Sequence, residues 1–124
     1  MKFNTLVPNI FYTDIKVGLH LFVQCLEFKI VYDDTASKEE PFCVIERDSL
    51  KITMIQNEEF AIKDRPELRL ETDNILEVYT HVKNIFPKLL HPNSLEIKAK
   101  PWGAKEFALL DSSGVCIIVQ EWMN

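Results

Sequence analysis

Apolar residues recur at helical spacing in two segments of the chain. In residues 74–84 they follow the three-and-four spacing of one helix face, and polar residues occupy the opposite face. Residues 14–26 also contain a helical stripe, formed by Ile15, Leu19, Phe22 and Leu26. The same segment alternates as a strand would, but its length and Asp14 as an N-cap favour a helix. Val17 and Leu21 then lie off the core stripe, so a second face should contact the rest of the protein or a partner.

The other apolar segments are short and strand-like. They are residues 6–12, 29–33, 42–47, 51–56, 67–72, 95–100, 105–111 and 116–121. With the two helices they give the order βαβββ twice, and the two copies of this order align at an offset of roughly sixty residues. The sequence therefore predicts an α+β fold built by internal duplication. We expect one domain over residues 1–124, with a first module at about 6–56 and a second at about 67–121.

Composition and charge narrow the possible partners. The 124 residues are 47% hydrophobic and 27% charged, with a formal net charge of −5 at pH 7 and no basic block. Nucleic acids and anionic membranes are bound through clustered positive charge, so we expect neither as a partner. We also expect no signal peptide or membrane span. The odd number of cysteines, Cys25, Cys43 and Cys116, all in apolar surroundings, indicates reduced thiols in the cytoplasm.

Two stretches carry a family signature. Residues 6–14 read LVPNIFYTD, and residues 100–111 read KPWGAKEFALLD, with Gly114 following. Together with the paired modules, they resemble the vicinal oxygen chelate superfamily of glyoxalases, bleomycin resistance proteins and extradiol dioxygenases. The match is best with the bleomycin-resistance branch and extends from about Leu6 to Glu121. The resemblance implies curved half-barrel sheets, a homodimer with small-molecule clefts between its subunits, and a link to antibiotic resistance.

The same resemblance identifies the positions at which a metal ion would be bound. Metal-using members take four His, Glu or Gln ligands from the first and last strands of the two modules. The equivalent positions here are Val7, Thr53 (Met54 if the register differs by one), Glu67 and Ile118. Only Glu67 can bind a metal ion, and a single carboxylate provides no chelate. The histidines show no ligand spacing, and no motif of nucleophilic catalysis is present. We therefore expect no metal, no other cofactor and no catalytic residue.

The strand at residues 67–72 supplies the first candidate binding residues. Glu67, Arg69 and Glu71 alternate with apolar residues, so the charged set should face the concave side of the sheet as a polar, net acidic wall. The simpler alternative is an antiparallel sheet that shows its polar side to water.

The segment at residues 100–111 supplies the others. Trp102 stands between Pro101 and Gly103 at a strand end, where an indole can stack on a planar or cationic ligand. In the pattern of the family, Glu106 and Phe107 border the ligand cleft. Trp102 and Phe107 also have a simpler interpretation as packing residues.

Two functions from different classes remain open. The first is a metal-free protein that sequesters a hydrophobic or cationic aromatic ligand in a cleft between the subunits of a homodimer. The second is a metal-dependent lyase or dioxygenase of the same superfamily, and a dimer with a vestigial cleft is a further alternative. The loss of three of the four ligand positions favours binding over catalysis.

Overall fold

The computed structural model describes residues 1–123, which form two compact units that divide between Asp64 and Arg65. Unit one contains a four-stranded mixed sheet in the order β1-β4-β3-β2, in which β1 and β4 are parallel. Its elements are β1 (Asn9–Tyr12), α1 (Ile15–Leu19), a π-helical turn (His20–Cys25), β2 (Lys29–Asp34), β3 (Phe42–Arg47), β4 (Leu50–Gln56) and α2 (Glu58–Ala61).

Unit two repeats this topology, with the sheet order β5-β8-β7-β6 and a parallel β5–β8 pair. Its elements are β5 (Glu67–Glu71), α3 (Ile75–Ile85), a 3-10 turn (Pro87–Leu89), β6 (Lys98–Ala99), β7 (Ala104–Leu110) and β8 (Cys116–Trp122). The predicted α+β fold, the duplicated βαβββ order and all eight strands are confirmed. No helix among residues 1–123 has the length and apolar character needed to cross a membrane.

Two strands are shorter than predicted. The first begins at Asn9 rather than residue 6, and Leu6 in front of it is exposed. The sixth consists of Lys98–Ala99 alone, because the preceding loop already occupies the edge of β7. His91 donates its backbone N–H to the carbonyl of Ala108, and the Ala108 N–H donates to Ser94 Oγ. Loop groups thus take the hydrogen bonds that a longer β6 would have made.

The helix predicted at residues 14–26 forms, but its apolar stripe is different. Asp14 is the N-cap, and its carboxylate accepts from the backbone N–H of Lys16. From His20 to Cys25 the helix widens to π geometry, which shifts the buried face. The buried residues are Ile15, Gly18, Leu21, Phe22 and Cys25. The placement of Leu21 off the core was therefore wrong, and this helix offers less of a second apolar face than the periodicity suggested.

Gly18 lets α1 approach the sheet of unit one closely. A Cβ atom at this position would lie 2.7 Å from Tyr12 Cζ and 2.9 Å from Met54 Sδ. Tyr12 and Met54 are both fully buried. The side of this sheet that faces α1 is therefore the core side, and we call the opposite side of each sheet its open face.

A side chain on the last strand of each unit accepts a hydrogen bond from the start of the first helix of that unit. In unit one, the backbone N–H of Ile15 donates to Gln56 Oε1 over 3.0 Å. In unit two, the backbone N–H of Ile75 donates to Glu121 Oε1 over 2.8 Å. Each bond satisfies an N–H at the helix start that has no partner within the helix. The same device at equivalent positions ties the helix to the sheet in both halves of the duplication.

Candidate functional site

A row of polar residues crosses the open face of unit two. Glu71 on β5 pairs with Gln120 on β8, Gln120 pairs with Glu106 on β7, and Glu106 pairs with Lys98 on β6. Each strand of the sheet contributes one residue. Because side chains in a strand alternate between faces, directly paired residues share a face, and the row runs across the whole sheet.

Hydrogen bonds join three members of this row, Glu71, Gln120 and Glu106, into a network through Arg69. Arg69 Nη1 donates to Glu106 Oε2 over 3.0 Å and to Gln120 Oε1 over 2.7 Å. Gln120 Nε2 donates to Glu71 Oε2 over 3.3 Å. Glu106 and Gln120 are only 6% and 5% exposed, so the burial of these polar groups is compensated by bonds to partners of the right type.

Two indole rings terminate the network. Trp102 Nε1 donates to Glu106 Oε2 over 2.8 Å, and Trp122 Nε1 donates to Glu71 Oε2. The two residues are 52% and 48% exposed, so each ring is held by its N–H and still presents apolar surface. Trp102 stands in a turn that Gly103 permits with a φ of +89°. The network therefore fixes the orientation of two half-exposed aromatic surfaces.

A cavity of about 290 Å³ adjoins the network on the same unit. Ala108, Cys116 and Ile118 form its apolar floor, while His91, Glu96, Lys98 and Lys100 contribute polar groups. Lys100 also places its ammonium nitrogen 5.8 Å from the centroid of the Trp102 ring. An apolar floor with a few polar groups around it is typical of small-molecule sites.

The thiol of Cys116 belongs to the apolar floor. Burial raises its pKa, the carboxylate of Glu67 raises it further, and the guanidinium of Arg69 opposes both. The thiol therefore stays protonated near neutral pH, in which form it is a small apolar group and a poor nucleophile.

Four of the six residues predicted for the site come together in the network: Arg69, Glu71, Trp102 and Glu106. Glu67 lies at the start of β5, paired with Cys116 on β8 and four residues before Glu71. Phe107 borders the cavity but is 2% exposed, and its ring packs edge-on against Tyr79 at 5.3 Å. The packing interpretation of Phe107 is the one its contacts favour.

The sequence reasoning missed two members of the network, Gln120 and Trp122. It used Ile118 on β8 only as a metal-ligand position. Alternation along that strand places Gln120 and Trp122 on the same face as Ile118, two and four residues further on. Continuing the alternation would have identified both residues.

The open face of unit one has a different chemistry. Phe11, Ile55 and Phe42 are paired across its strands, in positions equivalent to the polar row of unit two. Tyr32 stacks on Phe42 with 5.5 Å between ring centroids, and Phe11 contacts Phe60 at 5.1 Å. Duplicated positions that carry carboxylate and amide groups in one unit thus carry aromatic and aliphatic groups in the other.

The residues at the four superfamily metal positions do not fit a metal ion. Val7 precedes β1, and Thr53 pairs with Asn9 on the open face, whereas Met54 is buried on the core side. Thr53 is therefore the residue to compare, and neither it, Val7 nor Ile118 is an anionic or imidazole ligand. Across residues 1–123, no group of three or more His, Cys, Asp or Glu residues is arranged to hold a metal.

Comparison with known proteins gives matches at the level of structure. No family model and no curated protein sequence matches the chain. A bleomycin-binding protein complexed with bleomycin superposes with a TM-score of 0.66 at 20% identity, covering 98% of this chain and 99% of that one. A member of the glyoxalase/bleomycin resistance protein/dioxygenase superfamily from Sphaerobacter thermophilus gives 0.71 at 16% identity, covering 96% and 98%. The chain has this glyoxalase-like fold.

A third glyoxalase-like structure points the same way. The bleomycin-binding protein of Streptomyces verticillus, complexed with copper(II)-bleomycin, gives a TM-score of 0.68 at 17% identity, covering 100% of this chain and 98% of that one. The matches span the whole glyoxalase-like fold rather than one module. They confirm the fold to which the family resemblance pointed, and the function has to be argued from the site.

Proposed function

We propose that this chain is a binding protein that sequesters a small aromatic molecule on the open face of unit two. The observation that carries the proposal is a cavity with an apolar floor, lined in part by Glu106, whose carboxylate holds the half-exposed indole of Trp102. A second half-exposed indole, Trp122, is held in the same way by Glu71. That two of its structural neighbours are complexed with bleomycin supports a small-molecule partner.

The indoles are suited to this role because they are already oriented. A ring that is fixed before binding loses little conformational entropy when a ligand stacks on it. Trp102 acts as the stacking platform, Ala108 and Ile118 supply the floor, and Phe107 supports the cavity from the core side. Because Val7, Thr53 and Ile118 supply no metal ligand, the site favours binding over a metal-dependent lyase or dioxygenase reaction.

The sequence predicts a hydrophobic or cationic aromatic ligand, and we retain the hydrophobic aromatic part. The carboxylates of Glu106 and Glu71 are the obvious partners for a cation, but both already accept hydrogen bonds through Oε2 from within the protein. Glu96, which lines the cavity, and Glu67, which pairs with Cys116, are then the carboxylates left to meet a cationic group. A cationic aromatic ligand is accordingly the alternative that the experiment below must test.

The proposal includes the assembly expected from the family resemblance. Both modules belong to one domain, two chains form a homodimer in the cytoplasm with clefts between subunits, and no metal or other cofactor takes part. Exposed apolar residues on unit one, among them Val31, Tyr32 and Phe60, support a partner chain that covers them. Sedimentation should give twice the monomer mass of 14.5 kDa, and a monomer at micromolar concentration would contradict the dimer. A physiological role in drug resistance is part of the same proposal.

Tryptophan fluorescence tests the binding site directly. A panel of planar neutral and cationic aromatic compounds should quench the emission of the wild-type protein, because ligands stack on Trp102. Quenching should persist in Trp122→Phe and disappear in Trp102→Phe. Cations that bind more tightly than neutral compounds, and lose that advantage in Glu67→Gln, would favour the cationic alternative. Quenching that survives Trp102→Phe would contradict the proposed platform.

A further inference from the structure

The cationic side chains around the cavity of unit two are only partly used by the network. The acceptors that hold the network together are few: Glu106 Oε2 takes bonds from Arg69 and Trp102, and Gln120 Oε1 takes one from Arg69. Glu71 Oε2 takes bonds from Gln120 and Trp122. Each of the two carboxylates thus holds the network through one of its oxygens, Oε2.

The open donors are cationic. Arg69 uses only Nη1 in its hydrogen bonds, so Nη2 and Nε keep three N–H groups available, and its side chain is 45% exposed. Lys98 lies opposite Glu106 on the neighbouring strand and makes no ion pair with any residue in 1–123. Lys100 lies near the Trp102 ring and, within the described part of the chain, has no carboxylate partner. Three cations thus surround one buried, already bonded carboxylate.

His91 adds a neutral donor at the same cavity. Its Nδ1 accepts from the backbone N–H of Asn93 over 3.0 Å, so in the neutral ring the proton is on Nε2. Glu96 is a carboxylate at the cavity, and Glu106 is the other. Among the residues that line the cavity, Lys98 and Lys100 balance these two carboxylates. Arg69, bonded to Glu106, adds one positive charge, in a chain whose formal net charge is −5.

We propose that the cavity takes an aromatic acid: the ring lies on the apolar floor against Trp102, and its oxyanion is held by Arg69, Lys98 and Lys100. This inference rests on the proposed function and names the class of its ligand. Carboxylate and sulfonate groups match an arginine edge with two parallel N–H donors, and such charge-assisted bonds are stronger than neutral ones. Partial burial beside the floor strengthens them further, since less water screens the charges.

A matched pair of dyes tests the oxyanion. The probes are 8-anilinonaphthalene-1-sulfonate and N-phenyl-1-naphthylamine, which share an aromatic skeleton and differ in the sulfonate. The Trp122→Phe variant is used, so that energy transfer comes from Trp102 alone. At low salt the sulfonate should bind roughly tenfold more tightly than the neutral dye, although the neutral dye is the more hydrophobic of the two. High salt should reduce that preference.

Charge variants assign the preference to this cavity. Lys98→Gln and Lys100→Gln change exposed or half-exposed side chains, and each should lower the sulfonate preference about threefold, with Arg69→Gln lowering it more. Lys105→Gln is the matched control, because Lys105 is one residue from Glu106 on β7 and points to the other face. It should leave the preference unchanged.

The outcomes separate this inference from the proposed function. If the neutral dye binds as tightly as the sulfonate, or if all three site variants behave like Lys105→Gln, the oxyanion site is wrong while an aromatic site remains. If neither dye binds with energy transfer from Trp102, the proposed function fails, and the inference fails with it.

Discussion

Arg69 reaches from the surface of unit two to a buried carboxylate, with Nη1 placed 3.0 Å from Glu106 Oε2. The two side chains differ in burial, at 45% exposed for Arg69 and 6% for Glu106. Removal of the arginine would leave a buried carboxylate with Trp102 as its remaining hydrogen-bond donor. Removal of the carboxylate charge would leave a cation that water can reach. The pair should therefore respond unequally to substitution of its two members.

We expect Arg69→Met to lower the free energy of unfolding by about 1 to 2 kcal/mol, at the low end for a buried ion pair because solvent screens the exposed guanidinium. Glu106→Gln should cost less, since the amide oxygen still accepts from Arg69 and Trp102. Urea denaturation of the two single variants and the double variant measures the coupling. Additive effects in the double variant would contradict a direct interaction.

The bonds from Ile15 to Gln56 and from Ile75 to Glu121 provide matched tests of one structural device. Gln56→Ala and Glu121→Ala should each cost about 1 kcal/mol, the usual effect of losing an acceptor at a helix N-terminus. Glu121→Gln keeps an acceptor and should cost less than Glu121→Ala. Equal losses for these two variants of Glu121 would show that the bond to Ile75 is not what stabilises α3.

Gly18→Ala tests the close packing of α1 on its sheet. An alanine methyl would overlap Tyr12 and Met54, and we expect a loss of about 1 to 3 kcal/mol despite the better helix propensity of alanine. Lys16→Ala, in the same helix but exposed, is the control and should change stability by less than about 0.5 kcal/mol. A Gly18→Ala variant as stable as the wild type would place Tyr12 and Met54 farther from the helix.

Burial should make the cysteines unreactive in the folded protein. Burial, with a smaller effect of Glu27, raises the pKa of Cys25 from 9.0 to about 12, and burial with Asp33 raises the pKa of Cys43 to about 11. A disulfide reagent at mildly alkaline pH should modify neither thiol in the native state, whereas half-buried Cys116 should react slowly. All three should react in urea. Fast native-state labelling of Cys25 would contradict its burial.

The same shifts give stability a pH dependence with a defined sign. Above pH 9.0 an unfolded thiol loses its proton, but the folded Cys25 keeps its proton until about pH 12. The unfolded state then binds fewer protons than the folded state, so the free energy of unfolding falls as the pH rises through this window. Cys25→Ala should be less stable throughout but show a shallower alkaline decline, as measured by urea denaturation at several pH values.

Metal analysis tests whether the residues at the superfamily's four ligand positions bind a metal ion. Because Val7, Thr53 and Ile118 supply no metal ligand, we expect purified protein to lack stoichiometric zinc, nickel, manganese or iron. A chelator should leave the thermal midpoint unchanged. Stoichiometric metal together with a lower midpoint in chelator would revive the enzyme alternative.

Local patterns predicted most of the fold, because strand alternation, helix periodicity and the duplicated order are properties of neighbouring residues. The π-helical turn at His20–Cys25 was not predictable in this way, since the tertiary packing of Leu21 and Phe22 decides the register. Arg69, Trp102 and Glu106 were identified as site residues, but not their bonds to one another. Those depend on strand register between segments far apart in sequence, and the register also places Gln120 and Trp122 in the network.

The bonds between the last strands and the first helices also bear on how each unit folds. Ile15 and Gln56 are 41 residues apart, and Ile75 and Glu121 are 46 apart. Neither helix start can gain its partner until nearly the whole unit has been synthesised and its final strand has docked. Closing a loop of this length costs chain entropy before any contact compensates for it, which slows folding. We therefore expect α3 and β8 to gain protection from amide hydrogen exchange in one kinetic step, with an isolated α3 peptide remaining largely unstructured.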